Sequence, residues 1–252
     1  MKYISFCSGG KDSVAMTDLI IKKGMPLDEI VFVAIEKEFP QEKEMRHKLI
    51  SKWQHEGKEC TVLKTEDTFD NWFYGKVTRG ESEGKKRGFP LVAFSCYWTR
   101  EAKVKPIQNY LKELGNDYIQ YIGYAIDEKS TKRQKIIKRY LEGSGDPTHG
   151  YPLIDWNMQE IDCREYCEKE GILNPLYDYF ERLGCFLCPK QGDESLKKLQ
   201  RCFPDQWKEL MFYVSETTKG GFVKPGQFNI KHNLKTLQQI ENQITWEDIL
   251  ND

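Results

Sequence analysis

Apolar and polar positions divide the first third of the chain into short blocks. Tyr3-Ile4-Ser5-Phe6-Cys7 is a compact, mostly apolar run with the look of a buried strand. It leads into Ser8-Gly9-Gly10-Lys11-Asp12-Ser13, behind which Met16, Leu19, Ile20 and Lys23 fall at helical spacing with only Lys23 polar. Ile30-Val31-Phe32-Val33-Ala34-Ile35 is continuously apolar, as expected of a strand covered on both faces. Pro40 to Glu56 is charged and helical in type, and Glu59-Cys60-Thr61-Val62-Leu63 predicts a third, shorter strand. Strand, helix, strand, helix, strand at this spacing predicts a doubly wound parallel sheet, whose ligands sit beyond the carboxyl ends of the strands.

From Asp70 the pattern changes. Asn71-Trp72-Phe73-Tyr74-Gly75 is aromatic, whereas Lys76 to Gly88 is polar, with three glycines and five basic residues. A loop of that length is either a solvated insertion or a lid that carries Arg79, Lys85, Lys86 or Arg87 onto an anionic substrate. Ser95-Cys96-Tyr97-Trp98-Thr99-Arg100 opens a helix running through Leu111, and Tyr118 to Ile122 predicts a fourth strand. Asp127 to Arg133 follows as a helix start on the ligand side of the sheet, which raises Lys129 and Arg133 above ordinary surface charges. Gly143 to Gly150 has the composition of a linker. Beyond it, Asn157 with Glu160 three residues on forms a capping-box-like helix start, and the chain from Asp193 reads as helical.

Composition narrows the class. The 252 residues are 39% hydrophobic and 13% aromatic, enough for a packed core. With 38 basic and 39 acidic residues the net charge is −1, so no global basic field recommends a nucleic-acid substrate. No stretch approaches a membrane span and no leader pattern precedes the first strand, which makes the expected location cytoplasmic. The eight cysteines are then better read as thiols or metal ligands than as a disulfide framework.

The chemistry concentrates in two places. At Ser8 to Ser13, backbone N–H groups face outward at the positive end of a helix, and two glycines admit a phosphate closely. Ser8 and Ser13 add hydroxyl donors, Lys11 a mobile positive charge. This is not a Walker A loop, because Ser5 and Asp12 stand where that motif needs a glycine and a hydroxyl residue. At Cys185-x-x-Cys188, two thiols on one turn make half of a soft-metal site. Cys202, fourteen residues on, is near enough to fold back. Cys163 and Cys167 share a helix face and read as small buried residues, as do Cys7 and Cys60 within strands.

The hexapeptide Ser8 to Ser13 resembles the PP-loop of ATP pyrophosphatases and of the phosphoadenylyl-sulfate (PAPS) reductase family. Further pieces follow in that family's order: Glu38-Phe39-Pro40, Gly123 to Arg133, Tyr151 to Trp156, then Asn174-Pro175-Leu176-Tyr177 with Gly184-Cys185-x-x-Cys188. In the second of these, Tyr124 and Ala125 stand where the family carries an arginine. The resemblance implies a doubly wound α/β sheet of the adenine nucleotide alpha hydrolase-like kind with a helical C-terminal extension. The expected division is a PP-loop core over 1–150 and a C-terminal part over 151–252. It further implies ATP or PAPS as the ligand, with Mg2+ as its companion. Ser8, Gly9, Gly10, Lys11, Asp12, Ser13 and Glu128 would bind the nucleotide, Lys11 and Arg133 acting as the catalytic cations. Cys96 resembles a ligand of cluster-bearing relatives. With Cys185, Cys188 and Cys202 it would hold an iron–sulfur cluster, zinc being the alternative.

The activity expected is adenylating ATP pyrophosphatase chemistry coupled to sulfur transfer, with a sulfur donor or a thioredoxin-like reductant as partner. One alternative is sulfonucleotide reduction, although the reductase thiol of the family's Glu-Cys-Gly-Leu-His motif has no counterpart after Cys202. Another is a non-catalytic nucleotide-binding subunit with a cysteine metal site.

Overall fold

The computed structural model describes residues 1–89 and 96–249. In chain order the elements are β1 (Lys2–Cys7), α1 (Lys11–Lys22), β2 (Glu29–Ala34), α2 (Pro40–His55), β3 (Glu59–Lys64) and α3 (Phe69–Tyr74). Then come α4 (Tyr97–Thr99), a π-helical turn (Arg100–Val104), α5 (Lys105–Leu114), β4 (Tyr118–Tyr121), α6 (Thr131–Leu141) and β5 (His149–Gly150). The last part holds α7 (Pro152–Asp155), α8 (Glu160–Lys169), a 3-10 turn (Pro175–Asp178), α9 (Asp193–Cys202), α10 (Pro204–Thr218) and α11 (Leu234–Ile249). Ser95, expected to begin a helix, lies outside the described residues.

Five strands form one all-parallel sheet in the order β3-β2-β1-β4-β5. This is the doubly wound α/β arrangement with flanking helices and a helical C-terminal region that the sequence predicts. The chain moves outward from β1 through β2 to β3, then returns to the other side of β1 with β4. The strand order therefore reverses between β1 and β4, where the carboxyl ends open a crevice. β5 was hidden in the stretch that reads as a linker. It is only two residues long, and a Cβ on Gly150 would lie 2.9 Å from the Tyr121 ring. A glycine there reflects the ring that crosses it, not chain flexibility.

The chain groups into two compact units that interleave along the sequence, rather than parting once after Gly150. The first comprises Met1–Ala34, Pro40–Lys64 and Pro106–Asp178, and the second Ile35–Phe39, Thr65–Lys105 and Tyr179–Asp252. The first holds the sheet. Its core joins Val14, Met16 and Ile20 of α1 to Ile30 and Phe32 of β2, Leu49 and Trp53 of α2, and Cys163 and Cys167 of α8. Those two cysteines and Cys7 are buried, and Cys60 packs against the same core.

The second unit has an aromatic core. Phe69 and Phe73 meet Tyr213 edge-on at 5.1 and 4.9 Å, and Phe39 meets Phe203 at 5.0 Å. The polar stretch after α3 is no loose lid. Val77 N–H donates to the Lys85 carbonyl at 2.8 Å, and Lys86 N–H to Gly221 at 2.7 Å. Lys86 lies over the Tyr74 and Phe222 rings, and Arg87 donates to the Trp72 carbonyl. Arg79 and Lys85 remain exposed.

One buried charge ties three helices of the first unit. Asp18 of α1 is fully buried and accepts from Trp53 Nε1 at 3.0 Å, Tyr166 Oη at 2.6 Å and Lys52 Nζ at 3.0 Å. Burial opposes its ionisation, but those three donors outweigh burial and hold the carboxyl below its ordinary value. The stability it contributes is therefore complete above the unfolded carboxyl pKa, near pH 4, and lost as pH falls through the lower folded-state value. Asp18→Asn should cost on the order of 3 kcal/mol at neutral pH. Urea unfolding at pH 7 and at pH 3 checks both points: the difference between wild type and variant should shrink at the lower pH.

Candidate functional site

β1 ends at Cys7, and three residues turn the chain into α1. Gly9 takes φ +79°, in the left-handed region that strains any side chain. Gly10 has ordinary extended backbone (φ −76°, ψ 150°) and is the N-cap of α1, so only one of the two glycines uses its conformational freedom. Both serine hydroxyls fold back into the loop. Ser13 Oγ donates to the Gly10 carbonyl at 2.9 Å and accepts from Ser8 N–H at 3.1 Å. With that proton committed, the 3.0 Å contact between the hydroxyls has Ser8 as donor. The groups left to face a ligand are the first-turn N–H groups of α1, which have no carbonyl of their own helix to pair with.

Lys11 opens α1. Its N–H donates to Tyr177 Oη at 3.0 Å, and its Nζ donates to Glu160 at 2.9 Å and to Asp12 at 3.0 Å. Only 12% of the side chain is exposed, so the mobile cation of the sequence reading is a held one. Burial lowers the ammonium's proton affinity, but the bonds to Glu160 and Asp12 more than offset this and raise its pKa. Asp12 is also raised, first by burial and further by the Glu160 and Glu128 carboxylates, with Lys11 pulling the other way. Burial lifts the Tyr177 phenol to about 12, so its hydroxyl is neutral.

The end of β4 supplies the facing wall. A Cβ on Gly123 would lie 3.0 Å from Ser13 Cα, 3.1 Å from Ser13 N and 3.2 Å from the Asp12 carbonyl carbon. Only glycine lets this strand end lie against the start of α1. Farther along, Asp127 accepts the Glu160 N–H at 2.9 Å. Glu128 pairs with Arg133 at 2.5 Å and accepts the Ser130 N–H at 3.0 Å, while Arg133 stacks over the Tyr124 ring at 5.0 Å. Burial works against the Arg133 charge, but Glu128 outweighs it, with Asp12 adding in the same sense. Lys129 is exposed. An open cleft of about 460 Å³ adjoins this loop, lined by Ile126, Ile137 and Leu141 with Asp127, Glu128 and Gln134. With Glu142 it carries three carboxylates against one lysine, Lys138, which suits it poorly to phosphate.

The structure places Glu128 and Arg133 near the start of α1, where Asp12 feels both, and adds Glu160, Asp127 and Tyr177 to the surroundings of the turn. Glu160 carried a misleading signal. The N-cap of α8 is Gln159, whose box partner is Asp162, and Asn157 sits at φ +53° ahead of the helix. That leaves Glu160 at the first helical position, with its side chain on Lys11. Tyr177 closes the Asn-Pro-Leu-Tyr element, but nothing local indicates that its hydroxyl meets an amide 166 residues away.

The cysteines assemble only in part. Phe186 and Leu187 are buried, Phe186 against Phe39 at 5.9 Å, which leaves Cys185 and Cys188 half-buried on either side. The Cys185 thiol hydrogen-bonds the Cys188 sulfur and is the main reason its pKa falls to about 6; burial opposes, and Lys190 and Arg182 assist. Cys96 is the N-cap of α4, and Cys202 is exposed at the end of α9. Among the described residues no three His, Cys, Asp or Glu side chains are placed to hold a metal ion. Cys96, Cys185, Cys188 and Cys202, as placed among the described residues, are not gathered into a four-thiolate cluster or zinc site.

An open parallel sheet with a glycine turn and helix start at its strand-order reversal defines the PP-loop, nucleotide-binding class. The family model of the phosphoadenosine phosphosulfate reductase domain matches residues 2–191, and the chain belongs to that family. It is 27% identical over 240 residues to the uncharacterized protein MJ0066 of Methanocaldococcus jannaschii, covering 89% of this chain and 45% of that one. To MJ0973 of the same organism it is 26% identical over 212 residues, covering 81% and 46%. The chain thus spans less than half the length of these curated relatives. Among solved structures it is similar to the U34-tRNA thiolase NcsA from Methanococcus maripaludis with its 4Fe-4S cluster. There the identity is 17%, the coverage 84% of this chain and 70% of that one, and the TM-score 0.40, a likeness too slight to bear on activity. No helix among the described residues is long and apolar enough to cross a membrane.

The approach of β4 to α1 yields a direct test. Gly123→Ala should destabilise the protein by about 1–3 kcal/mol, because the added carbon meets backbone that cannot yield cheaply. Thermal unfolding measures that loss. Calorimetry with ATP should show weakened binding in the folded variant, whereas Gly184→Ala, at a glycine with open space around it, should change neither.

Proposed function

We propose that the chain is an adenine-nucleotide enzyme that cleaves ATP between its α- and β-phosphates, adenylates a substrate oxygen and so opens that position to sulfur transfer. The observation that carries this reading is the turn Ser8 to Ser13 at the N-terminus of α1, set against Gly123 where the strand order reverses, in a member of the PAPS reductase family.

The oxygen of the acceptor attacks the α-phosphorus, the bond to the bridging oxygen of the β-phosphate breaks, and pyrophosphate leaves. A hydrosulfide then attacks the activated carbon and the carbon–sulfur bond forms. The bond from carbon to the adenylated oxygen breaks, AMP leaves with that oxygen, and the sulfur's proton passes to solvent. The α1 amides and Lys11 take the phosphate oxygens, and Lys11 neutralises charge that develops on the leaving group. Phosphate must first replace Glu160 on the Lys11 ammonium, and its oxygen takes the place of Tyr177 Oη on the Lys11 amide. Arg133, in the first turn of α6, supplies a second cation once it turns from Glu128. Burial, with the Glu160 and Glu128 carboxylates adding to it, raises the Asp12 pKa, and a Mg2+ ion arriving with the nucleotide would favour its charged form. The family match favours a second reading, reduction of a sulfonucleotide bound at the same turn.

Two assays separate these readings. Pyrophosphate and AMP should appear from ATP in the presence of an acceptor and a sulfur donor, and sulfite should not appear from PAPS with a reduced dithiol protein. Sulfite without pyrophosphate would favour the reductase reading, and nucleotide binding without turnover of either would leave a binding subunit. Lys11→Ala should lose about 1.5–3 kcal/mol of nucleotide binding, the range of a charge-assisted hydrogen bond, while remaining folded by circular dichroism. Equal ATP and PAPS affinity in variant and wild type would remove the phosphate-cradle argument.

A further inference from the structure

Charge is unevenly mixed along the helices of the first unit. Five of the eleven residues of α6 are basic and none is acidic, in a chain whose basic and acidic residues number 38 and 39. α8 leans the other way, with Glu160, Asp162, Glu165 and Glu168 against Arg164 and Lys169. Cations on neighbouring helices have carboxylate partners: Lys22 has Glu170, Lys52 has Glu56 and Arg164 has Glu168. Two cations of α6 are paired in the same way, Arg133 with Glu128 and Lys138 with Glu142. The others are not. Lys132, Lys135 and Arg139 are exposed and have no ion-pair partner among the described residues, nor has Lys129, just ahead of the N-cap Ser130.

Helical spacing puts these charges in a row. Lys132, Lys135 and Arg139 follow one another at i, i+3 and i+7, so they share a face with about 5–6 Å between successive side-chain bases. The apolar residues of α6 are used elsewhere. Ile136, Ile137 and Tyr140 pack inward with Tyr124, Tyr151 and Ile154, and Leu141 lines the acidic cleft together with Lys138. The row begins beside the candidate site, because Asp12 acts on Arg133 in the same first turn of α6 as Lys132.

We propose that Lys129, Lys132, Lys135 and Arg139 form a docking surface for a nucleic-acid strand, held through its phosphates. Unpaired ammonium and guanidinium groups in a row, at intervals close to those of successive phosphates, make the contacts that supply much of nucleic-acid affinity. A protein partner fits this face less well. Lysine is depleted in protein interfaces, and the row holds no exposed aromatic or aliphatic anchor. An anionic membrane is disfavoured by the same lack of an apolar anchor. The chain's near-zero net charge is no obstacle, because screening confines the attraction to about 8 Å in physiological salt. The surface stands without the adenylation reading, since no residue of the glycine turn takes part. On that reading, the strand carries the acceptor oxygen.

The test titrates the whole chain, without ATP, into fluorescein-labelled single-stranded RNA of mixed sequence and into DNA of the same sequence. Anisotropy is read across a series of salt concentrations. Binding of either strand supports the surface, and their ratio shows whether the 2′-hydroxyl is sensed. Lys135→Ala with Arg139→Ala should weaken binding and flatten the slope of log affinity against log salt by about 1.4, two contacts at about 0.7 each. Lys112→Ala with Lys169→Ala removes equal charge from the last turns of α5 and α8, and should leave both quantities unchanged. Circular dichroism checks that each pair folds. If one does not, the wild type still decides: bound RNA should shield Lys132 and Lys135 from an amine-acylating reagent, read by peptide mass. Absence of binding to either strand at low salt, or equal losses from the two pairs of substitutions, would overturn the proposal. So would poly-glutamate or phosphatidylserine vesicles bound as tightly as the strands.

Discussion

The candidate site rests on one close approach: the missing side chain of Gly123 lets the end of β4 lie against the backbone of Asp12 and Ser13. A parallel sheet can place two strand ends side by side, but it does not bring their loops into contact. Here β1 and β4 are neighbours in register, Ser5 opposite Tyr121, and the chain leaves them to opposite sides. With no Cβ between them, the amides at the start of α1 and the segment from Asp127 into the first turn of α6 face one crevice. Glu160 closes the arrangement, its N–H on Asp127 and its carboxylate on Lys11. Three segments distant in sequence are thereby held to one short stretch of backbone.

That stretch is electrostatically balanced before any ligand arrives. Lys11 is satisfied by two carboxylates, Arg133 by a third, and the Lys11 amide by a neutral phenol. An anionic ligand therefore exchanges partners on these cations instead of meeting bare charge. Such exchange lowers net affinity, because each new contact replaces an existing one. It also gives selectivity for groups that satisfy several donors at once, as a polyphosphate does.

The second unit is held by ring contacts instead of a sheet, and this bears on its cysteines. Phe186 is drawn into the same aromatic core as Phe39, Phe180 and Phe203. Fixing Phe186 fixes the direction of the flanking thiols. Cys202 ends α9 on the exposed side, so helix packing, more than cysteine spacing, keeps it from the pair.

Much of this was legible in the chain. The apolar run at β2, the shorter runs at β1, β3 and β4, and the helical spacing behind them point to a parallel α/β sheet. Burial on both faces leaves its continuous signature at β2, whereas β3 and β4 are only partly buried. The glycine turn is likewise local: strand, turn and helix start are adjacent in sequence. Other features were decided only in three dimensions. β5 is two residues long and carries a glycine because of a ring on β4, so it has no pattern of its own. Glu160 and Tyr177 reach Lys11 across 149 and 166 residues, and a hydrogen bond at that separation leaves no periodic trace. The spacing of four cysteines suggested convergence, yet a thiol's direction is set by the packing of its neighbours. Sequence determines which residues must be buried; only tertiary packing decides where the remaining side chains point.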